Sequence, residues 1–247
     1  MERKEKQELL YGFHAIMEAI ESGKEVEKLL IKKGLKGDLF QAFFMQVRQL
    51  NIPFQYVPIE KLNKLTPQNH QGVIAYISPI EFHDPEKVIT EAQEAGRTPL
   101  VLILDKVTDV RNFGAIARSA ECAGVDAIII PDKGSARINA DAIKTSAGAL
   151  HNIKVCRVKN LVDVVMLFQQ MEIQIISATE KAEKYHIQAD LTKPTAIIMG
   201  AEDKGIEQRL LRMSDELVKI PINGKIQSLN VSVAASLMVY EAVRQRM

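Results

Sequence analysis

The sequence predicts an α/β protein in two parts, a small alternating unit followed by a larger one built on a mostly parallel sheet. Three observations carry that expectation. Apolar runs of strand length alternate with helix-length segments along nearly the whole chain. In the second half the strand-like runs, such as Ala127-Ile128-Ile129-Ile130, are continuously apolar, as strands covered on both faces must be. Between 78 and 98 the apolar pattern thins: Pro79, Asp84-Pro85 and Gly96 flank a short charged helix, with Pro99 just beyond. This reads as a linker over 79–98, dividing a first domain at 1–78 from a second at 99–247.

In order, the first part reads as a helix at 12–22, a strand at 26–31, a helix at 38–50, a short strand at 54–57, a helical turn at 59–65 and a strand at 73–77. In the second, strands are expected at 100–104, 127–130, 154–158, 174–178, 195–199 and 217–220. Helices are expected at 112–123, 161–171, 206–213 and 230–246. The last carries Val231, Ala234, Ala235, Met238, Val239 and Ala242 on an apolar face, so much of it is core or interface.

A chain of 247 residues with 47% hydrophobic and 26% charged residues buries a core without staples. No apolar run is long enough to span a membrane. The start, Met1-Glu2-Arg3-Lys4-Glu5-Lys6-Gln7-Glu8, mixes charges with no following apolar signal region, so a cytoplasmic location is expected. Cys122 and Cys156 lie outside any C-x-x-C pattern and read as two buried thiols, and the five histidines share no metal-ligand spacing, so no metal is expected. The net charge of +1 neither favours nor excludes nucleic acid. Lys24, Lys28, Lys32, Lys33 and Lys36 crowd one stretch of the first part, although Glu21, Glu25 and Glu27 interleave.

Parallel sheets bind ligands beyond the carboxyl ends of their strands, which directs attention to three loops. The first, Asp105 to Gly114, leads into a helix carrying Arg118. Taken alone, Asn112 there reads as an N-cap and Arg118 as a surface ion-pair residue, although a guanidinium in a stretch of small residues also suits a phosphate or a partner subunit. The second, Gly200-Ala201-Glu202-Asp203-Lys204-Gly205, lets the backbone approach a ligand but is neither a P-loop nor a dinucleotide fingerprint, and a plain turn fits equally. The third runs from Ile220 through Gly224 to Ser228-Leu229-Asn230-Val231-Ser232, where a helix start lined by Ser228, Asn230 and Ser232 is either capped by them or holds a polar ligand.

Together the loops resemble the three signature motifs of the SpoU (TrmH) family of RNA ribose 2′-O-methyltransferases, of the SPOUT class. The first matches at Asp105, Asp109, Asn112, Gly114 and Arg118; the second at Gly200, Glu202 and Gly205; the third at Ile220-Pro221 with Ser228 to Ser232. Val110-Arg111 departs from the proline that the family commonly has after the second Asp. Tyr11-Gly12-Phe13-His14-Ala15 and Asn69-His70-Gln71-Gly72-Val73 resemble the family's accessory substrate-binding domain, similar to a ribosomal-protein fold.

The resemblance implies a deep trefoil knot in the second domain, a homodimer, and S-adenosylmethionine as methyl donor, bound at Gly200, Ile220 and Leu229 with Thr179, Ala201 and Ser228 beside them. It implies methylation of a guanosine ribose in 23S ribosomal RNA. A guanosine in transfer RNA is the alternative within the class, and a non-catalytic RNA-binding or ribosome-assembly factor the alternative outside it. Asn112, Arg118, Glu202, Ser228 and Asn230 are the expected catalytic set. The family's proposed base corresponds to Arg118, but a guanidinium pKa above about 12 makes the neutral form scarce near pH 7. A phosphate clamp that also stabilises charge developing on the ribose oxygen fits Arg118 better.

Overall fold

The computed structural model describes residues 9–50, 52–201, 204–226 and 228–247. Two compact units divide between Glu81 and Phe82.

The first unit runs β1 (Leu9–Tyr11), α1 (Phe13–Glu21), β2 (Val26–Lys32), α2 (Asp38–Gln49), β3 (Phe54–Val57), α3 (Ile59–Leu65) and β4 (Val73–Ile77). Its four-stranded sheet has the order β1-β4-β2-β3. On one face Ile16, Phe43 and Val47 of the helices pack onto Leu29, Ile31, Val73 and Ala75; on the other, Leu62 of α3 covers Leu30 and Ile74. That division follows from strand alternation, which sends Leu29 and Leu30 to opposite faces.

The second unit contains α4 (Pro85–Glu94), β5 (Leu100–Asp105), α5 (Val110–Cys122), β6 (Ala127–Pro131), α6 (Ala140–Thr145), β7 (Lys154–Val158), α7 (Leu161–Gln170), β8 (Gln174–Ala178), β9 (Lys184–Tyr185), β10 (Thr195–Gly200), α8 (Gln208–Met213), β11 (Glu216–Lys219) and α9 (Val231–Arg246). Its seven strands are ordered β7-β6-β5-β10-β8-β11-β9, and every pairing among the described residues is parallel. Leu102, Ile103, Ile128, Ile129, Ile197 and Ile198 have no exposed surface, as continuously apolar strands in a covered sheet require.

The 79–98 stretch is not a bare linker. Asp84 caps α4 by accepting the Lys87 N–H at 3.1 Å, and Val88 and Ile89 are buried in the core of the second unit. Phe82 bridges to Val155 as well. The charged face of α4 masks an apolar stripe one helical turn long, so the segment reads polar while it packs. The two thiols also differ. Cys156 is buried, and burial pushes its pKa up to about 12, so it stays protonated and inert. Cys122, expected to be buried, is exposed on α5.

Candidate active site

Strand order reverses between β5 and β10. From β5 the chain lays β6 and β7 outward on one side, whereas β10 enters between β5 and β8. A crevice therefore opens beyond the carboxyl ends at this point, the usual ligand position in parallel sheets.

β5 ends on Asp105, which is 3% exposed; its carboxylate accepts the Glu207 N–H at 2.7 Å, while its carbonyl accepts the Ala201 N–H at 3.0 Å. Asp105 thus ties the loop after β10 to the end of β5. Lys106 lies 3.2 Å from Glu207 and 3.7 Å from Asp105. Partial burial pulls the Lys106 pKa down, but the Glu207 and Asp105 carboxylates outweigh it and hold the ammonium above its ordinary range.

At Gly200 a Cβ would stand 2.3 Å from the Gly205 carbonyl carbon and 2.4 Å from the Ile206 nitrogen. The loop folds back on itself through the Gly205 N–H donated to the Ala201 carbonyl at 2.8 Å, and Gly205 takes a left-handed φ of 63°. No side chain fits at 200. Glu202, expected in the catalytic set, lies outside the described residues.

α5 starts two residues earlier than the sequence suggests, because Asp109 rather than Asn112 is the cap: its Oδ1 accepts the Arg111 and Asn112 N–H groups at 2.9 and 2.8 Å. Gly114 lets α6 approach, since a Cβ there would meet Thr145 Cβ at 2.7 Å. Freed from capping, the Asn112 side chain accepts Nδ2–H of Asn230 at 3.0 Å. Asn230 in turn caps α9, its Oδ1 accepting the Ser232 N–H at 2.9 Å and the Ser232 hydroxyl at 2.6 Å. Further along, the Ser236 and Ser119 hydroxyls meet at 2.7 Å, pinning α9 to α5.

A cavity of about 480 Å³ sits beyond the ends of β8, β10 and β11. Thr179, Gly200, Ala201, Ile220, Ser228 and Leu229, the residues expected at the donor, all line it. Ile206 and Leu211 add an apolar wall, and Glu180 and Lys181 a polar rim, none of them singled out from the sequence. Thr179 is fixed by donating its N–H to the Val218 carbonyl at 2.8 Å. Size and lining suit a nucleoside-sized ligand: apolar walls, two hydroxyls, and backbone exposed where Gly200 excludes a side chain. Asn230 lies between Leu229 and Val231, both lining residues, so the Asn112–Asn230 pair stands at the cavity margin.

Arg118 does not join them. Six residues along a helix amount to about 240° of rotation from Asn112, and Arg118 is exposed on a stripe with Arg111 and Cys122. It does not line the cavity of its own chain. A second cavity, of about 660 Å³, is lined by Thr108, Asp109, Arg111, Asp141, Lys144 and Thr145 where α5 begins beside α6. Among the described residues no group of three or more His, Cys, Asp or Glu could hold a metal ion.

Residues 99–240 match the SpoU rRNA Methylase family model, and residues 9–83 match the model for RNA 2′-O ribose methyltransferase substrate binding. The chain belongs to the SpoU methylase family. A Staphylococcus saprophyticus protein assigned to the TrmH family of tRNA/rRNA methyltransferases is 34% identical over 96% of both chains. Among solved structures, the SpoU methyltransferase AviRb of Streptomyces viridochromogenes, determined with AdoMet, is 25% identical, has a TM-score of 0.62 and aligns over 96% of this chain and 90% of its own. The A. aeolicus TrmH/SpoU tRNA modifying enzyme is 30% identical with a TM-score of 0.56, over 66% of this chain and 84% of its own. Family membership makes this an RNA methyltransferase with an α/β catalytic unit and an N-terminal substrate-binding unit.

Proposed function

We propose that this enzyme transfers the methyl group of S-adenosylmethionine to the ribose 2′-hydroxyl of a guanosine in 23S ribosomal RNA. The observation that carries the reading is the convergence of all six donor-contact residues on one cavity, with the Asn112–Asn230 pair at its margin. When bound, the donor supplies an electrophilic methyl on a sulfonium, which becomes a neutral thioether as the ribose oxygen gains the methyl and loses its proton.

The chain contributes alignment. Gly200, the fixed backbone of Thr179, and Leu229 hold the donor, and the linked amides of Asn112 and Asn230, with Ser228, orient the ribose; such positioning is worth several kcal/mol, on the order of 10 at best. Glu202 completes the polar set. Arg111 and Lys144 offer positive charge to the RNA backbone beside the site. Arg118 clamps phosphate and stabilises charge on the ribose oxygen. The absence of Arg118 from its own chain's cavity lining supports a homodimer as the active species, with Arg118 of one copy serving the site of the other. α9 supports this with an exposed apolar stripe of Val233, Leu237 and Tyr240, neighbour to the helix that carries Arg118. The insertion of β10 between β5 and β8 supports a knotted catalytic domain. No helix among the described residues is long and apolar enough to cross a membrane, and the enzyme acts in the cytoplasm, where its RNA is.

A second reading is methylation of guanosine in transfer RNA, favoured by the likeness to the A. aeolicus tRNA modifying enzyme. Incubating the full chain with methyl-labelled donor and either deproteinised ribosomal or unmodified transfer RNA decides between them. Label in a 2′-O-methylguanosine of the large ribosomal RNA is the expected result. Label in transfer RNA alone selects the second reading, and label in neither refutes both.

A further inference from the structure

In the first unit β1, β2 and β3 all run the same way, since β4 is antiparallel to β1 and β2 while β3 is parallel to β2. Tyr11, Lys32 and Val57 therefore end their strands at the edge where β4 begins with Val73. α1 and α2 start from that edge, directing the positive ends of their backbone dipoles toward it, and the short α3 begins there too.

The loops at this edge are tightly held. Gln71 adopts a left-handed φ of 51°, and its Oε1 occupies the space a side chain at Gly12 would need and accepts the Phe13 N–H at 3.1 Å. His70 is buried, its Nδ1 accepting the Gly72 N–H at 3.0 Å, which leaves the proton on Nε2 for Asn63 Oδ1 at 2.9 Å. The two motifs that mark this domain in sequence are thus one structural joint. Lys33, Lys36 and Lys61 stand at this edge and Lys64 in the last turn of α3, about 8 Å along the helix from it; all four are exposed and have no carboxylate partner among the described residues. Asp38 and Glu60 are the acids of these segments. Lys24 and Lys28 do not belong to the group. Lys24 precedes β2 and Lys28 is its third residue, about 15 Å or more from Lys33 at roughly 3.3 Å per residue; Glu21, Glu25 and Glu27 interleave there and Lys28 donates to Gln55. The lysine-rich stretch of the sequence is two surfaces, one of mixed charge and one basic.

We infer that the carboxyl-end edge of the first unit grips RNA through its phosphate backbone with Lys33, Lys36, Lys61 and Lys64, while the exposed Tyr11 and His14 meet bases. The inference rests on the RNA methyltransferase reading and names the surface that reading leaves open. Rigid loops, helix N-termini and lysines without carboxylate partners favour a polyanion whose backbone is read by charge and shape.

The test compares the full chain with Lys33→Gln/Lys36→Gln/Lys61→Gln/Lys64→Gln, with the matching four Lys→Arg changes, and with Lys24→Gln/Lys28→Gln. Affinity for deproteinised ribosomal RNA is measured across salt concentrations, and S-adenosylmethionine binding by calorimetry reports on the other unit. The fourfold Gln variant is expected to lose at least about 10-fold in RNA affinity, its log-log salt slope falling by roughly 3, since each lost phosphate contact removes about 0.7–0.9. Donor binding stays unchanged, the Arg variant binds RNA like the parent, and the Lys24/Lys28 variant stays within about twofold. Parent-like affinity and slope in the fourfold Gln variant, or an equal loss in the Lys24/Lys28 variant, overturns the inference while leaving the methyltransferase reading intact. If the parent itself neither binds nor methylates ribosomal or transfer RNA, both fall together. An Arg variant that remains defective although donor binding is normal also overturns it, because charge would then not be the cause.

Discussion

The two ends of α9 do opposite work. At its C-terminal end Arg246 donates to the carbonyls of Leu191, Thr98, Pro99 and Lys193, at 2.8, 2.7, 3.3 and 2.6 Å. Glu241, buried, accepts from Arg244 at 2.6 and 2.9 Å and from Gln245 at 2.7 Å, while Gln245 also bonds Ala189 and Leu191. Polar groups at this end are consumed by the fold. At the N-terminal end Asn230 is exposed and reaches across to Asn112, beside the cavity. A helix anchored firmly at one end can present groups at the other that are oriented but not buried, and orientation is what a methyl transfer asks of a protein.

The largest effect expected from breaking this contrast is on rate. Asn230→Ala should lower kcat about 10²- to 10³-fold, roughly 3–4 kcal/mol, against about 1 kcal/mol of stability for the lost cap. Asn230→Asp keeps an acceptor for the Ser232 N–H but has no N–H to give Asn112, so kcat should fall with little change in Tm. If Tm falls in step with rate in both variants, the N-terminal end is structural and the contrast is wrong. At the other end Arg246→Ala should cost about 2–3 kcal/mol in denaturant unfolding, because several carbonyls lose a charged donor, while the KM for the donor holds. A stable variant with a raised KM would reverse the assignment.

Glu241→Gln should cost about 1–2 kcal/mol near neutral pH, as one charge-assisted pair is lost. The Arg244 side chain chiefly holds the Glu241 carboxyl down, to about 2, although burial opposes it. Its folded pKa lies below the ordinary value of 4.5, so the stabilisation is complete above about 4.5 and is lost as pH falls toward 2. Melting curves of parent and variant should accordingly converge between pH 4.5 and 2, and a gap that is constant over that range would sink the ionic account. Smallest of all, Ser236→Ala midway along α9 should cost about 1 kcal/mol and leave kcat within about twofold, since only neutral hydrogen bonds, to the Ser119 hydroxyl and the Ser232 carbonyl, are removed.

Much of the second unit was legible because its strands declare themselves as continuous apolar runs, and three loops draw attention because they stand where those runs stop. Gly200 and Ile220 lie at such strand ends, whereas their expected place at the donor, and Thr179 altogether, come from the family resemblance. That their loops meet depends on β10 entering between β5 and β8, a pairing of segments far apart in sequence that no local pattern encodes. Local pattern also misled. The charged face of α4 hid Val88 and Ile89, six-residue α6 was too short to announce itself, and a spacing of six on α5 turned Arg118 away from Asn112. Lys24 and Lys33 look adjacent in sequence, yet a strand separates them.

The central position of β10 sets the order in which the catalytic unit can be completed. β5 has β6 on one edge, but its other edge must wait for Thr195–Gly200, about 95 residues further along the chain. At a synthesis rate of about 5–20 residues per second, roughly 5 to 20 seconds separate the synthesis of β5, apolar but for its terminal Asp105, from that of its partner. Non-local pairing of this kind also slows the search once the chain is complete. The geometry that opens the crevice therefore predicts slow folding, and the yield in the cell should rise with holdase chaperones and fall when growth temperature hastens aggregation.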